Sequence, residues 1–350
     1  MIEVSEVNKT YRAFDVDRKE IGIGLWVKNI RRLTANRAST VRALSNASFS
    51  VDRGEIFGIF GANGAGKTTL VRIMSGLLQP DAGSVTVDGC ADLRRIKNKV
   101  SYVSTNGWMG LEWQLTASEN LRLYGDIFGV AGRSLGSRGE RALQLLGMSD
   151  LRSKRVSELS AGMRQKLTLA RGLILERLVL YLDEPTVSLD VAAAAAVRDI
   201  ARSYVAAGDR SVLVTSHNPA DLSICDRILF LHRGKVLALG TPAELGRPLA
   251  GIKTLHIVYA GDEAGSDGVN LRAELQHQRG VHSVVVDRAN GRRDHWRARI
   301  GIYQSQSPTG GIIDRFIRYG VQIVALHMTP VTLQELYDHY CAEAYASPEE

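Results

Sequence analysis

Cysteine is scarce in this sequence: Cys90, Cys225 and Cys341 are the three in 350 residues, far apart and in no CxxC or Cys/His ligand spacing. That usage suits a reducing compartment, argues against a structural zinc site and leaves the thiols as packing residues. Long apolar runs are missing as well. The longest, around Leu178 to Leu182 and Val191 to Val197, fall far short of the roughly 20 residues that cross a bilayer, so any membrane role is expected to be peripheral. The opening Met1-Ile2-Glu3-Val4 has no basic region ahead of an apolar run, and no secretory signal is expected. Strong charge of one sign is absent too: a net +7, modest for the length, is compatible with an acidic membrane surface or nucleic acid and demonstrates neither. What is present is an ordinary globular composition, 45% hydrophobic and 23% charged, long enough for one large or two medium domains.

Within that composition one stretch stands out. The apolar segment Ile56-Phe57-Gly58-Ile59-Phe60 opens directly into Gly61-Ala62-Asn63-Gly64-Ala65-Gly66-Lys67-Thr68-Thr69. Glycines at this spacing let consecutive backbone N–H groups turn inward around a polyphosphate. Lys67 then reaches the outer phosphates and the Thr68 hydroxyl can ligate Mg²⁺. The buried strand before the loop and the apolar helix after it (Leu70, Ile73, Met74, Leu77) aim a helix N-terminus at the anion.

Taken in order, Ile2, Val4 and Val7 predict a short strand ending near Tyr11, which is open to two readings: a stacking platform for a base or an edge-strand tyrosine. From Arg12 to Arg42 eight Lys or Arg stand against three acids, and Ile21, Leu25, Trp26, Ile30 and Leu33 recur at roughly helical spacing. This basic insert reads either as an amphipathic helix against headgroups or a membrane subunit, or as a surface loop with one helix packed on its own domain. Ala43 to Val51 alternates as a strand, and Gly83 to Val87 with the turn Asp88-Gly89 reads as a second hairpin. Val100 to Val103 is a short buried strand. From about 107 to 160 the pattern is that of an inserted helical subdomain, with a capping box at Thr116 to Glu119 and a helix at Arg141 to Leu146.

Ser160 sits where an N-cap belongs, ahead of Gly162 and the apolar stripe Met163, Leu167, Ala170 and Ile174. A hydroxyl, a glycine and a helix N-terminus together make a second place for an anion, or simply a capped helix. The run Leu178 to Leu182 predicts a fully buried strand delivering Asp183 and Glu184 at its C-terminal end, where open parallel sheets bind ligands. One carboxylate there can hold Mg²⁺ and the next can take a proton from water. Ser188-Leu189-Asp190 caps a helix from Val191 to Ala207. Val212 to Val214 leads to His217, and a hairpin spans His232 to Lys235.

The loop, the stretch Leu159 to Gln165 and the pair Asp183/Glu184, occurring together in this order over about residues 1 to 245, resemble the ATP-binding cassette (ABC) transporter ATPases. The resemblance sets Walker A at Gly61 to Thr69, the signature at Ser160 to Gln165, Walker B at Leu178 to Glu184, the D-loop at Ser188 to Asp190, the switch histidine at His217 and the base-stacking aromatic at Tyr11. It implies an α/β P-loop cassette of residues 1–245 with the inserted helical subdomain, binding ATP and Mg²⁺. It also implies a head-to-tail pair of ATPase subunits, homodimeric or heterodimeric, on separate transmembrane permease subunits at the cytoplasmic face of the cell membrane, with no nucleic acid expected. Site residues follow by position. Glu184, His217 and Lys67 are catalytic. Tyr11, Gly61, Asn63, Gly64, Ala65, Gly66, Lys67, Thr68, Thr69, Ser160, Gly162, Gln165 and Asp190 bind nucleotide, and Thr68, Asp183 and Thr105 ligate the metal.

One departure matters. Where the family has a glutamine after the strand ending at Val103, this chain has Ser104-Thr105-Asn106, in which Thr105 or Asn106 could supply an oxygen. Residues 250–350 read as a small α+β accessory domain, and the stretch Pro330 to Tyr337 resembles the close of that domain in drug, polysaccharide and lipid exporters. The expectation is therefore the ATP-hydrolysing subunit of a bacterial exporter. Its rivals are a soluble ribosome- or DNA-associated ABC ATPase and a nucleotide-binding regulatory module without turnover.

Overall fold

The computed structural model describes residues 1–13, 39–104, 110–130, 132–187, 189–260, 271–289, 295–306 and 308–346. Most of the basic insert (14–38), Thr105, Asn106 and Ser188 lie outside the described residues. The chain divides into two compact units, Met1–Thr241 and Pro242–Glu350.

The first unit runs β1 (Ile2–Ala13), β2 (Ser39–Val51), β3 (Ile56–Phe60), α1 (Lys67–Met74), β4 (Ala82–Val87), β5 (Val100–Ser104), α2 (Ala117–Ile127), α3 (Gly132–Leu145), α4 (Ala161–Ile174), β6 (Val179–Asp183), α5 (Val191–Ala206), β7 (Ser211–Ser216), β8 (Arg227–His232) and β9 (Lys235–Gly240). Six strands form one sheet in the order β5-β6-β7-β3-β8-β9, and three form another in the order β2-β1-β4. Strands β5, β6, β7, β3 and β8 are parallel, and β9 returns antiparallel on β8 through the expected hairpin.

The continuous apolar runs of β3 and β6 are explained by this placement. Both strands are buried along their whole length, as parallel strands covered on two faces must be. Strands β1 and β2 instead alternate, burying Ile2, Val4 and Val7 against Leu44, Ala47, Phe49 and Val51. The apolar face of α1 (Leu70, Val71, Ile73, Met74) shares a single core with both sheets. Each such side chain stabilises the fold by about 1.5–3 kcal/mol, which anchors the helix that starts at the phosphate loop.

Two expectations are corrected. The Asp88-Gly89 turn exists, but β4 is no local hairpin. Beyond an isolated bridge from Val87 to Cys90, it pairs antiparallel with β1, Ile2 opposite Val87. Helix α3 begins at Gly132, well before Arg141, because Leu135, Ala142 and Leu143 bury one continuous face. The helices α2, α3 and α4 pack on one another. A Cβ on Gly125 would stand 2.3 Å from Leu135 Cδ1, so a larger residue there must displace that leucine side chain.

The second unit holds β10 (Ile252–Ala260), α6 (Leu271–Gln276), β11 (Val281–Arg288), β12 (His295–Tyr303), α7 (Thr309–Arg318), β13 (Gln322–Pro330) and α8 (Leu333–Ala346). The sheet order is β11-β12-β10-β13, all antiparallel. Leu255, Ile257 and Tyr259 pack against Leu271, Leu275, Ile312 and Phe316. Helix α6 is an addition to the expected elements; its Leu271 and Leu275, four apart, face this core.

Candidate active site

Parallel register places the site. Along the C-terminal edge of the large sheet Ser104 lies opposite Asp183, Asp183 opposite Thr215, and Phe60 opposite Ser216. The chain leaves β3 at that edge into Gly61 and enters α1 after Gly66, which serves as N-cap with φ 107°. A Cβ on Gly66 would stand 2.4 Å from the Ala43 carbonyl oxygen, so both the backbone conformation and the close approach demand glycine. No side chain caps α1 and no acid sits in its first turn, so its leading N–H groups and dipole favour an anion.

Lys67, only 6% exposed, donates from Nζ to the carbonyl of Gly61 at 2.7 Å and lies 3.0 Å from Glu184 Oε1. Glu184 leaves β6 with φ 53°, an uncommon backbone for a glutamate, held by donation of its N–H to the backbone oxygen of Thr215 at 3.1 Å and to its hydroxyl at 3.2 Å. The turn directs the side chain inward, where Oε2 lies 2.8 Å from His217 Nδ1. Glu184 thus stands between an ammonium and an imidazole.

Asp183, 4% exposed, is gripped from both sides. Oδ1 accepts from Thr215 at 2.6 Å and from Thr68 at 3.3 Å, while Oδ2 accepts from the Tyr102 hydroxyl at 2.9 Å. Burial, then the charge of Asp183, pushes the Tyr102 phenol up to about 12. The donor set of Thr68 and Asp183 is hard oxygen, which fits Mg²⁺. Among the described residues no group of three or more His, Cys, Asp or Glu could hold a metal ion.

The expected residues Lys67, Thr68, Asp183, Glu184 and His217 therefore converge with the loop Gly61 to Thr69. Ser160, Asp190, Tyr11 and Gln165 have contacts of their own, and Thr105 lies outside the described residues. Ser160 caps α4, accepting from Met163 N at 3.3 Å, with Gly162 in the helix's first turn. Asp190 caps α5 by accepting from Ala193 N at 2.7 Å. Tyr11 lies exposed on β1 opposite Val41. Gln165 is buried and reaches the carbonyl of Pro185, next to Glu184, at 3.5 Å.

Sequence reasoning missed Tyr102, Thr215 and Asp221. Thr215 carried a signal, being a buried hydroxyl that directly follows the apolar run Val212 to Val214. Asp221 carried none. It is 3% exposed, and its Oδ2 accepts from both Thr186 and Ser216 at 2.7 Å, tying the segment after Glu184 to the residue before His217.

Comparison with known proteins bears on this geometry. Residues 44–187 match the family model described as ABC transporter. The chain is 33% identical over 214 residues to the ABC transporter ATP-binding protein NatA of Bacillus subtilis, covering 60% of this chain and 86% of that protein. It is 37% identical to the daunorubicin resistance ATP-binding protein DrrA3 of Streptomyces coeruleorubidus, across 58% of this chain and 65% of the relative. The Nod factor export ATP-binding protein I of Rhizobium etli is 36% identical, with 63% of this chain and 69% of that one covered. Among solved structures, an ATP-binding subunit of an ABC transporter superposes with a TM-score of 0.57 at 25% identity, over 71% of this chain and 92% of that one. A dimeric bacterial cassette, MJ0796, gives 0.58 at 22% identity, over 69% and 98%, and shows the fold. The chain belongs to the ATP-binding cassette transporter family, as one of its ATP-binding, ATP-hydrolysing subunits.

Proposed function

We propose that this chain powers a bacterial exporter, acting as a pair of ATPase subunits at the cytoplasmic face of the cell membrane on separate permease subunits. The observation that carries the ATPase site is Glu184 standing between Lys67 and His217. The direction of transport is supported by relatives named for drug resistance and Nod factor export. Among the described residues no helix is long and apolar enough to cross a membrane, which accords with a separate translocation path.

In this reading ATP lies on the loop, with the backbone of Asn63, Gly64, Ala65 and Gly66 and the first turn at Lys67, Thr68 and Thr69 around the phosphates. Tyr11 stacks on the base. Thr68 and Asp183 hold Mg²⁺, which when bound neutralises phosphate charge; Thr105 is a third candidate ligand, outside the described residues. Lys67 stabilises charge on the transferring phosphoryl group, Glu184 accepts the proton of the attacking water, and His217 contacts the outer phosphate. Ser160 and Gly162 complete the cage around the phosphate of the second subunit, and Gln165 and Asp190 are further nucleotide-binding candidates.

Glu184→Gln tests it. The variant is expected to bind ATP within a few-fold of wild type, to lose turnover by about 10²-fold or more, and to accumulate as an ATP-dependent dimer on size exclusion. Wild-type turnover would refute Glu184 as the base.

A further inference from the structure

Asp183 is held by its two neighbouring strands at once. From β7 the Thr215 hydroxyl donates to Oδ1 at 2.6 Å, and from β5 the Tyr102 hydroxyl donates to Oδ2 at 2.9 Å. The Arg72 guanidinium stands beside the same phenol. Arginine carries donors only, so the phenolic proton is left to point at Asp183. The terminal torsion of an aspartate is intrinsically soft. Two bonds from opposite sides fix it, with Oδ1 also accepting from Thr68 Oγ1 at 3.3 Å.

We infer that Tyr102 is a positioning residue for the divalent cation, its hydroxyl fixing the orientation in which Asp183 faces Thr68. It touches neither nucleotide nor metal and acts through Asp183. The inference rests on the reading of Asp183 as the metal carboxylate. Outer-shell partners of this kind typically contribute 10–100-fold in metal affinity.

The test separates metal from nucleotide. ADP binding to the full chain is measured calorimetrically in EDTA and then against increasing Mg²⁺ for wild type, Tyr102→Phe and Asp183→Asn. Tyr102→Phe keeps the ring and its packing, and melting curves check that both variants are folded. Tyr102→Phe is expected to bind ADP in EDTA as wild type does, while the Mg²⁺ concentration for half of the affinity gain rises about tenfold; Asp183→Asn shifts it further. A Mg²⁺ titration of Tyr102→Phe that overlays wild type, with Asp183→Asn still shifted, overturns the role of Tyr102 and leaves the site reading standing. No shift in either variant overturns both. An equal loss of ADP affinity in EDTA and in Mg²⁺ also overturns the inference, because it marks a general structural effect.

Discussion

Lys67 Nζ lies 3.0 Å from Glu184 Oε1, the two side chains 6% and 16% exposed. The proposed phosphate-binding cation and the proposed catalytic carboxylate are thus partners, and on that reading a bound phosphate competes with Glu184 for the ammonium. Removing the cation alone leaves a largely buried carboxylate without its counter-charge, whereas removing both leaves neither. Lys67→Met and Glu184→Gln are therefore each expected to lower stability. In unfolding measured without nucleotide, the double variant should lose about 1–3 kcal/mol less than the sum of the singles. Strict additivity would show that the contact carries no energy.

The carboxylate of Asp221 joins the segments that carry Glu184 and His217. Asp221→Ala leaves the hydroxyls of Thr186 and Ser216 without their acceptor and Arg198, 3.9 Å away, without its buried counter-charge. The expected loss is about 3 kcal/mol of stability. Asp221→Asn keeps an acceptor and should lose less. In Asp221→Asn kcat is expected to fall about tenfold with KM for ATP within twofold, because on the proposed roles the phosphate loop is untouched while Glu184 and His217 shift. A KM effect as large as the kcat effect would contradict this.

Gly66→Ala meets two obstacles, a φ of 107° and the Ala43 carbonyl 2.4 Å from the new methyl. Strain of about 1–3 kcal/mol is expected, and relief of it must move the first turn of α1. ATP affinity should drop at least tenfold by calorimetry, since a displacement there misaligns the N–H groups and Lys67 together. Gly64, at φ 81° with no atom within 4 Å of a Cβ, should tolerate alanine better in thermal unfolding.

Caps and buried strands were legible because their causes are local. Thr116 and Glu119 form the capping box that their spacing predicted, and Ser160 and Asp190 cap their helices. The apolar runs of β3 and β6 could lie only in a covered parallel sheet. Where the reading failed, the deciding contact was distant. Asp88-Gly89 announces a reversal, yet a turn does not choose its strand's partner, and β4 pairs with β1. The glycines of α3 lower its intrinsic helix propensity, and burial of Leu135, Ala142 and Leu143 overrides them.

The sequence by itself determined the phosphate loop, the strand-end carboxylates and the family resemblance, since each resides in residue identities at short, fixed spacing. Only the tertiary structure decided which side chains hold those groups in place. Tyr102 and Thr215 flank Asp183, and Asp221 ties Thr186 to Ser216, because β5, β6 and β7 run side by side in one register. That register is set by long-range strand pairing, which no local spacing along the chain encodes.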